Sequence, residues 1–243
     1  MKTALFADIH SNLEALQACL AHARRQGAER YLCLGDIVGY GADPIACLDL
    51  VRELAAPCVL GNHDAAALGG LCESMNDIAR EAAHWTRRQL GASERDFLQA
   101  LPLTLRDGDR LCVHASAHRP GDWEYVASDA AARRCVAATD AVGVCAGHVH
   151  QPTFYFGARN AMACFLPQPG VPVPLPRRRR WIVLAGAVGQ PRDGNPAAAY
   201  VLVDDARRRA TFFRVAYDYT AAARKIVAAG LPEALARRLE RGF

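Results

Sequence analysis

Pro57-Cys58-Val59-Leu60-Gly61-Asn62-His63-Asp64 is a short apolar run that stops at a glycine and then presents an amide, an imidazole and a carboxylate. It reads as a strand whose end places ligand-type side chains. Two earlier stretches end in the same way. Thr3–Ala7 is an apolar run that ends at Asp8-Ile9-His10, and Arg30–Leu34 ends at Gly35-Asp36. A helix fits each gap. Ser11-Asn12-Leu13-Glu14 has the form of a capping box, with Ser11 as cap and Glu14 reaching back, and Leu13, Leu16 and Leu20 follow at helical spacing to about residue 25. Asp43-Pro44 places a cap before a proline in the first turn, and Ile45, Leu48 and Val51 line the next helix. Residues 1–64 are thus strand, helix, strand, helix, strand. The crossovers are long enough for parallel pairing, and such sheets present ligand groups at the carboxyl ends of their strands.

The pattern continues downstream. Helical periodicity covers 75–100, with Ile78 and Trp85 on one face and a second start at Ser93, so this segment reads as a helical cap. Arg106-Asp107-Gly108-Asp109 is a hairpin turn into Leu111-Cys112-Val113, which ends at His114. A polar loop, His118 to Tyr125, precedes a short helix from about Asp129. Val142–Ala146 ends at Gly147-His148-Val149-His150. Short strands follow at Thr153–Phe156 and Ala161–Leu166. Residues 167–176 hold five prolines and are expected to lack regular hydrogen bonding; the whole of 157–181 reads as a loop or lid insertion. Trp181–Ala185, Ala198–Val203 and Ala210–Val215 are strands, and two helices start near Thr220 and Pro232. The order is α/β first and antiparallel β second, without a repeat or a composition break. It predicts one domain over 1–243, of α/β (α+β) class, with two sheets in its core and helices outside.

Composition sets the outer bounds. About half the residues are hydrophobic and 22% charged, which is ordinary for a globular protein. No apolar run reaches the ~20 residues of a membrane span, and the N-terminus enters a strand without the form of a signal peptide. The nine cysteines are scattered without a C-x-x-C pair, so they read as small hydrophobes of a reduced, cytoplasmic protein and not as a disulfide framework. The net charge of +4 favours phosphate-bearing partners only mildly. The runs Arg177–Arg180 and Arg207–Arg209 read as solvated turns, so a nucleic-acid partner is not expected.

Asp8, His10, Asp36, Asn62, His114, His148 and His150 all lie at or just past strand ends. These seven N/O donors exceed the needs of one ion and suit two ions that share a carboxylate. Imidazole and carboxylate without thiolate favour Mn, Fe, Zn, Ni or Co. Two ions on a shared carboxylate would activate water for in-line displacement at phosphorus. His63 follows a ligand without being one, and would face the phosphoryl oxygen or the leaving group. Around them, Asn12 suits either a second layer of contacts or a helix cap, and Tyr40 either packs over the site or fills its loop. Arg192 and Asp193 follow a Gly-Gln-Pro turn and are candidates for substrate contact. His118, Trp123 and Tyr125 offer rings that could stack a base or simply pin their loop.

Asp8-x-His10, Gly35-Asp36, Gly61-Asn62-His63-Asp64, His114 and Gly147-His148-x-His150, in that order, resemble the calcineurin-like metallophosphoesterase superfamily. Gly35-Asp36-Ile37-Val38-Gly39-Tyr40-Gly41 and Val188-Gly189-Gln190-Pro191-Arg192-Asp193-Gly194 resemble its bacterial and archaeal single-domain branch. The resemblance implies a sandwich of two mixed β-sheets flanked by helices, an αββα fold. It implies one ion on Asp8, His10, Asp36 and His150, and another on Asp36, Asn62, His114 and His148. His63 would be the catalytic histidine and a bridging hydroxide the nucleophile. The activity expected is hydrolysis of phosphodiesters or phosphomonoesters, with manganese among the candidate metals and a small phosphate ester or nucleotide as substrate. A dinucleoside-polyphosphate hydrolase, such as one acting on diadenosine tetraphosphate, is the leading alternative. A non-catalytic scaffold is disfavoured, because no ligand position is lost. The sequence leaves room for a homo-oligomer. One position departs from the eukaryotic protein-phosphatase pattern: Gly39 stands where those enzymes carry an Asp that orients the catalytic histidine. Asp64 and Asp193 are the carboxylates considered in its place.

Overall fold

A computed structural model describes residues 1–70, 75–158 and 160–243. β1 (Lys2–Phe6), α1 (Leu13–Arg25), β2 (Arg30–Cys33) and α2 (Pro44–Glu53) open the chain. Then come α3 (Asn62–Ala67), α4 (Asp77–Gln89), α5 (Ala92–Gln99), β3 (Thr104–Asp107), β4 (Arg110–Val113), α6 (Asp129–Ala137) and β5 (Gly143–Ala146). The rest is β6 (Thr153–Ala158), β7 (Ala161–Phe165), β8 (Pro172–Pro174), β9 (Arg180–Leu184), β10 (Ala198–Asp204), β11 (Arg209–Val215), α7 (Tyr219–Ala228) and α8 (Glu233–Arg241). One sheet runs β2-β1-β10-β11-β8 and the other β3-β4-β5-β9-β6-β7. Both are mixed. β1 is parallel to β2 and antiparallel to β10, while β5 is parallel to β4 and β9.

Period-2 alternation explains why these strands are apolar on both faces. In β1, Leu5 faces the space between the sheets, where Trp181 and Phe212 also lie, while Ala4 and Phe6 face the helices. In β10, Val201 and Val203 point inward, and Tyr200 and Leu202 pack toward α1 and α2. In β9, Trp181 and Val183 face the other sheet, and Ile182 and Leu184 meet Ala132, Cys135 and Val136 of α6. Each such buried aliphatic or aromatic side chain contributes about 1.5–3 kcal/mol. A further apolar cluster joins α4, α7 and α8 around Tyr40.

Four local expectations need correction. Pro57–Leu60 is not a full strand: it makes one parallel bridge, Cys33 to Cys58, before the chain turns into α3. Ser11 does not cap α1. Its φ of 52° is left-handed, which carries the chain on so that Asn12 accepts from Ala15 N instead. α5 begins at Ala92 with Gly91 as its cap, ahead of Ser93. The Pro-rich stretch does take regular pairing, because β8 adds to the edge of β11. An edge strand tolerates proline, since the missing N–H can face away from its neighbour. Within 157–181, β7 and β8 are therefore edge strands of the two sheets; Arg159 in this segment lies outside the described residues.

The carboxyl ends of β1 and β2 in one sheet meet those of β4 and β5 in the other. Backbone bonds knit the loops there. Asp8 N donates to Gly35 O, His10 N to Asp36 O, Gly147 N to His114 O and Gly189 N to Asp8 O.

Candidate metal centre

Five of the seven expected ligands sit on left-handed backbone: Asp8 (φ 53°), His10 (48°), Asp36 (55°), His148 (66°) and His150 (62°). Such conformations cost non-glycine residues about 1–3 kcal/mol each and persist where the surroundings over-determine them. Here they turn each side chain back over its strand end, into one buried cluster. The reactive atoms of Asp8, His10, Asp36 and His150 lie within 4.8 Å of one another, and so do those of Asp36, His114 and His148. Asn62 joins the second group, its Oδ1 lying 3.1 Å from His114 Nε2. All seven expected ligand positions are thus brought together.

The imidazoles are oriented by backbone carbonyls. His10 Nδ1 lies 3.2 Å from Val38 O, His114 Nδ1 2.8 Å from Leu34 O, and His150 Nδ1 2.6 Å from Gln190 O. A carbonyl can only accept, so each Nδ1 carries the proton and each Nε2 of a neutral ring is a bare lone pair. His10 Nε2 and His150 Nε2 nevertheless face each other at 3.1 Å, and His150 Nε2 is 3.2 Å from Asp8 Oδ1. Lone pairs at that distance repel unless a cation stands between them. Metal–ligand bonds of about 2.1 Å at roughly right angles put ligand atoms about 3 Å apart, so the donor set fits an ion. Within the two groups of ligand-type side chains, Asp36 Oδ2 and His148 Nε2 are buried and have no hydrogen-bond partner among the described residues. Asp36 Oδ2 is 3.2 Å from His114 Nε2 and 3.7 Å from His10 Nε2, so it faces both groups. The residues fit divalent metal.

The charge states agree. Burial lowers His10 well below the ordinary histidine range, and lowers His148 to about 3, so both present lone pairs at neutral pH. Burial also opposes charge on His114, but the Asp36 carboxylate outweighs it and lifts this ring to about 9. The His114 proton and a cation therefore compete for one nitrogen.

Asp36 Oδ1 accepts from His63 N at 2.8 Å. Asp64 lies behind the loop and not beside the His63 ring. It accepts from the N–H groups of Asp36, Val38 and Gly61. Burial and the Asp36 carboxylate push its carboxyl up, to about 7, against those donors. Asp193 is committed to an ion pair with Arg214. Neither carboxylate replaces the one missing at position 39. His63 is instead held by packing. Its ring lies 4.2 Å from that of Tyr40 and 4.9 Å from that of His10, and its Nδ1 is buried against Gly39, where a Cβ would stand 2.9 Å away.

Tyr40 therefore packs over the site. Its hydroxyl accepts from Arg192 Nη2 at 3.2 Å, and the Arg192 and Arg238 guanidiniums lie over its ring at 5.7 and 5.9 Å. Asn12 is a strut. Its Oδ1 caps α1 and its Nδ2 donates to Gly189 O and Tyr217 Oη. Two contributors are not among the expected site residues. Gln190 orients His150 through its carbonyl, which any residue could supply. Arg238 comes from the last helix, far from every motif.

Gly61 has an ordinary φ, yet a Cβ there would lie 2.1 Å from Asp36 Oδ1. Gly61→Ala is expected to cost about 1–3 kcal/mol, as overpacking does, and to lower metal content by displacing Asp36. Urea denaturation with metal analysis checks both; an unchanged metal content would show that Asp36 holds its place by other means.

Comparison with known proteins gives a consistent picture. The model of the calcineurin-like phosphoesterase superfamily domain matches residues 1–207. A Methanocaldococcus jannaschii protein, MJ0912, is 36% identical over 241 residues, 97% of this chain and 96% of its own. The crystal structure of a metallophosphoesterase from Sphaerobacter thermophilus is similar over 100% of both chains, with a TM-score of 0.89 and 38% identity. A symmetrical bis(5'-nucleosyl)-tetraphosphatase of Chromohalobacter salexigens is 33% identical over 124 residues, 47% of this chain and 42% of its own.

Proposed function

The chain belongs to the calcineurin-like phosphoesterase superfamily, and on that premise we propose that it is a two-metal phosphoesterase acting on phosphodiesters, phosphomonoesters or both. The observation that carries this reading is Asp36 Oδ2, a buried acceptor without a donor, 3.2 Å from one histidine nitrogen and 3.7 Å from another. Asp8, His10, Asp36 and His150 would hold one ion; Asp36, Asn62, His114 and His148 would hold the other. Divalent ions in such a site polarise phosphoryl oxygens and lower the pKa of water. The chain's own side chains do the rest. His63 lines a cleft beside the cluster, where it steadies the phosphoryl oxygen or hands a proton to the leaving oxygen. Arg192, tied to Tyr40 and Gln190, keeps a fixed positive charge near His10 and His63, which favours an anionic substrate. The metal is one of Mn, Fe, Zn, Ni or Co on the chemistry of the donors.

The test is turnover of bis-p-nitrophenyl phosphate and p-nitrophenyl phosphate by chelator-treated protein, before and after supply of Mn, Ni, Mg or Zn. Activity is expected only after metal is restored. Equal activity with and without metal would rule out this reading. A second reading, hydrolysis of dinucleoside polyphosphates, is favoured by the likeness of half the chain to a bis(5'-nucleosyl)-tetraphosphatase; diadenosine tetraphosphate in the same assay discriminates it. Retention of every ligand position argues against a scaffold. No helix among the described residues is long and apolar enough to cross a membrane. We place the protein in the cytoplasm because its described cysteines are free thiols, nearly all buried.

A further inference from the structure

The loop after His114 brings two aromatic rings beside the metal centre. A single 3-10 turn, Pro120–Asp122, is flanked by Arg119 and Trp123, left-handed at φ 49° and 55°. Residues with a Cβ avoid that region. The result is a Trp123 ring edge-on to His114, with centroids 5.9 Å apart. Its Nε1–H is buried and has no partner among the described residues, although a buried indole N–H usually finds an acceptor. Tyr125 lies flat on His148, centroids 4.0 Å apart and planes 24° from parallel. It does not pin the loop into the core, because it remains 51% exposed. Both rings line one cleft of about 240 Å³ with Asn62, His63, Asn76 and His148. That is below the roughly 300–1,000 Å³ of pockets for drug-sized ligands.

We propose that this cleft is a nucleoside subsite: the ester cleaved carries a nucleoside whose base stacks on the exposed Tyr125 ring, with Trp123 as a wall of the cleft. The proposal rests on the phosphoesterase reading and adds to it the group attached to phosphorus. Every base has a π-face, so the subsite selects nucleosides over alkyl groups and not one base over another.

The test compares kcat/KM for thymidine 5'-(p-nitrophenyl phosphate) and ethyl p-nitrophenyl phosphate, which share a leaving group. A companion titration compares binding of AMP and ribose 5-phosphate. The nucleoside compounds are expected to be favoured about five- to a hundredfold in both measurements. Tyr125→Ala should bring both ratios toward one, and Tyr125→Phe, which keeps the ring, should restore them. Equal kcat/KM for the two esters with equal binding of AMP and ribose 5-phosphate would overturn the subsite and leave the phosphoesterase reading intact. So would ratios that Tyr125→Ala does not change. AMP preference without hydrolysis of either ester would support the subsite and overturn the phosphoesterase reading.

Discussion

Asp36→Ala is expected to strip the protein of both ions and to lower phosphoesterase turnover by about 10³-fold or more. Removing a partner that merely supports a ligand already costs about 10–100-fold in metal affinity, and Asp36 would be a ligand to both ions at once. One of its oxygens faces His10 and His114, and the other accepts from His63 N. The substitution therefore also leaves a buried N–H unsatisfied, which costs about 1–3 kcal/mol. Asp36→Asn separates the two effects. It keeps an acceptor for His63 N and loses the charge, so it should fold like the parent and still fail to bind metal tightly. Metal analysis and denaturation of both variants are the measurements. Full metal occupancy in Asp36→Asn would mean that the carboxylate is not shared. A pH signature accompanies the result. Ligation needs a neutral His114, and Asp36 lifts this ring to about 9, so metal uptake by the parent protein should release a proton and weaken as pH falls below about 9. In Asp36→Asn that proton release should shrink.

The sequence made the framework of this site legible because the chemistry lies at strand ends. An apolar run followed by Asp-x-His or Gly-Asp marks both the element and the side chain it delivers to the cluster. This is why β1, β2, β4 and β5 and the seven side chains that gather at their ends could all be read without coordinates. What stayed hidden depends on the path of the backbone. The Ser11 and Asn12 hydroxyl and amide are both good helix caps; the left-handed φ of Ser11, set by the turn at His10, decides between them. Pro57–Leu60 has the composition of a strand but makes only one bridge. The Pro-rich segment has the composition of a coil, yet it lies where an edge strand can accept it. Asp64 and Asp193 are the carboxylates expected to partner His63, but Asp193 pairs with Arg214. Asp64 instead faces the backbone of the 35–38 turn, and the ring is positioned by Tyr40, a side chain that is equally common as loop filler.

His63→Ala is expected to retain the metals and to lose about 10²–10⁴-fold in turnover, the usual contribution of a positioned proton donor or acceptor. The ring lines the cleft and lies outside both ligand groups, so metal content should not follow activity. The dependence on leaving group distinguishes its two roles. A p-nitrophenolate departs without a proton, whereas an alkoxide does not. If His63 protonates the leaving oxygen, the loss will be far larger for a methyl or nucleoside leaving group than for p-nitrophenol; an equal loss for both assigns it to the phosphoryl oxygen. Unchanged turnover on every ester would remove His63 from catalysis altogether. Stability gives an independent readout. Burial lowers His63 to about 4, while in the unfolded chain it titrates near 6.5. Between those values the unfolded state binds the extra proton, so the parent protein loses stability as pH falls from about 6.5 to about 4, by up to about 3 kcal/mol from this group. His63→Gln, which cannot titrate, should flatten that part of the stability curve while leaving stability above pH 7 less affected. A curve with the same slope in both proteins would mean that the ring is not held neutral by the pocket formed by Tyr40, His10 and Gly39.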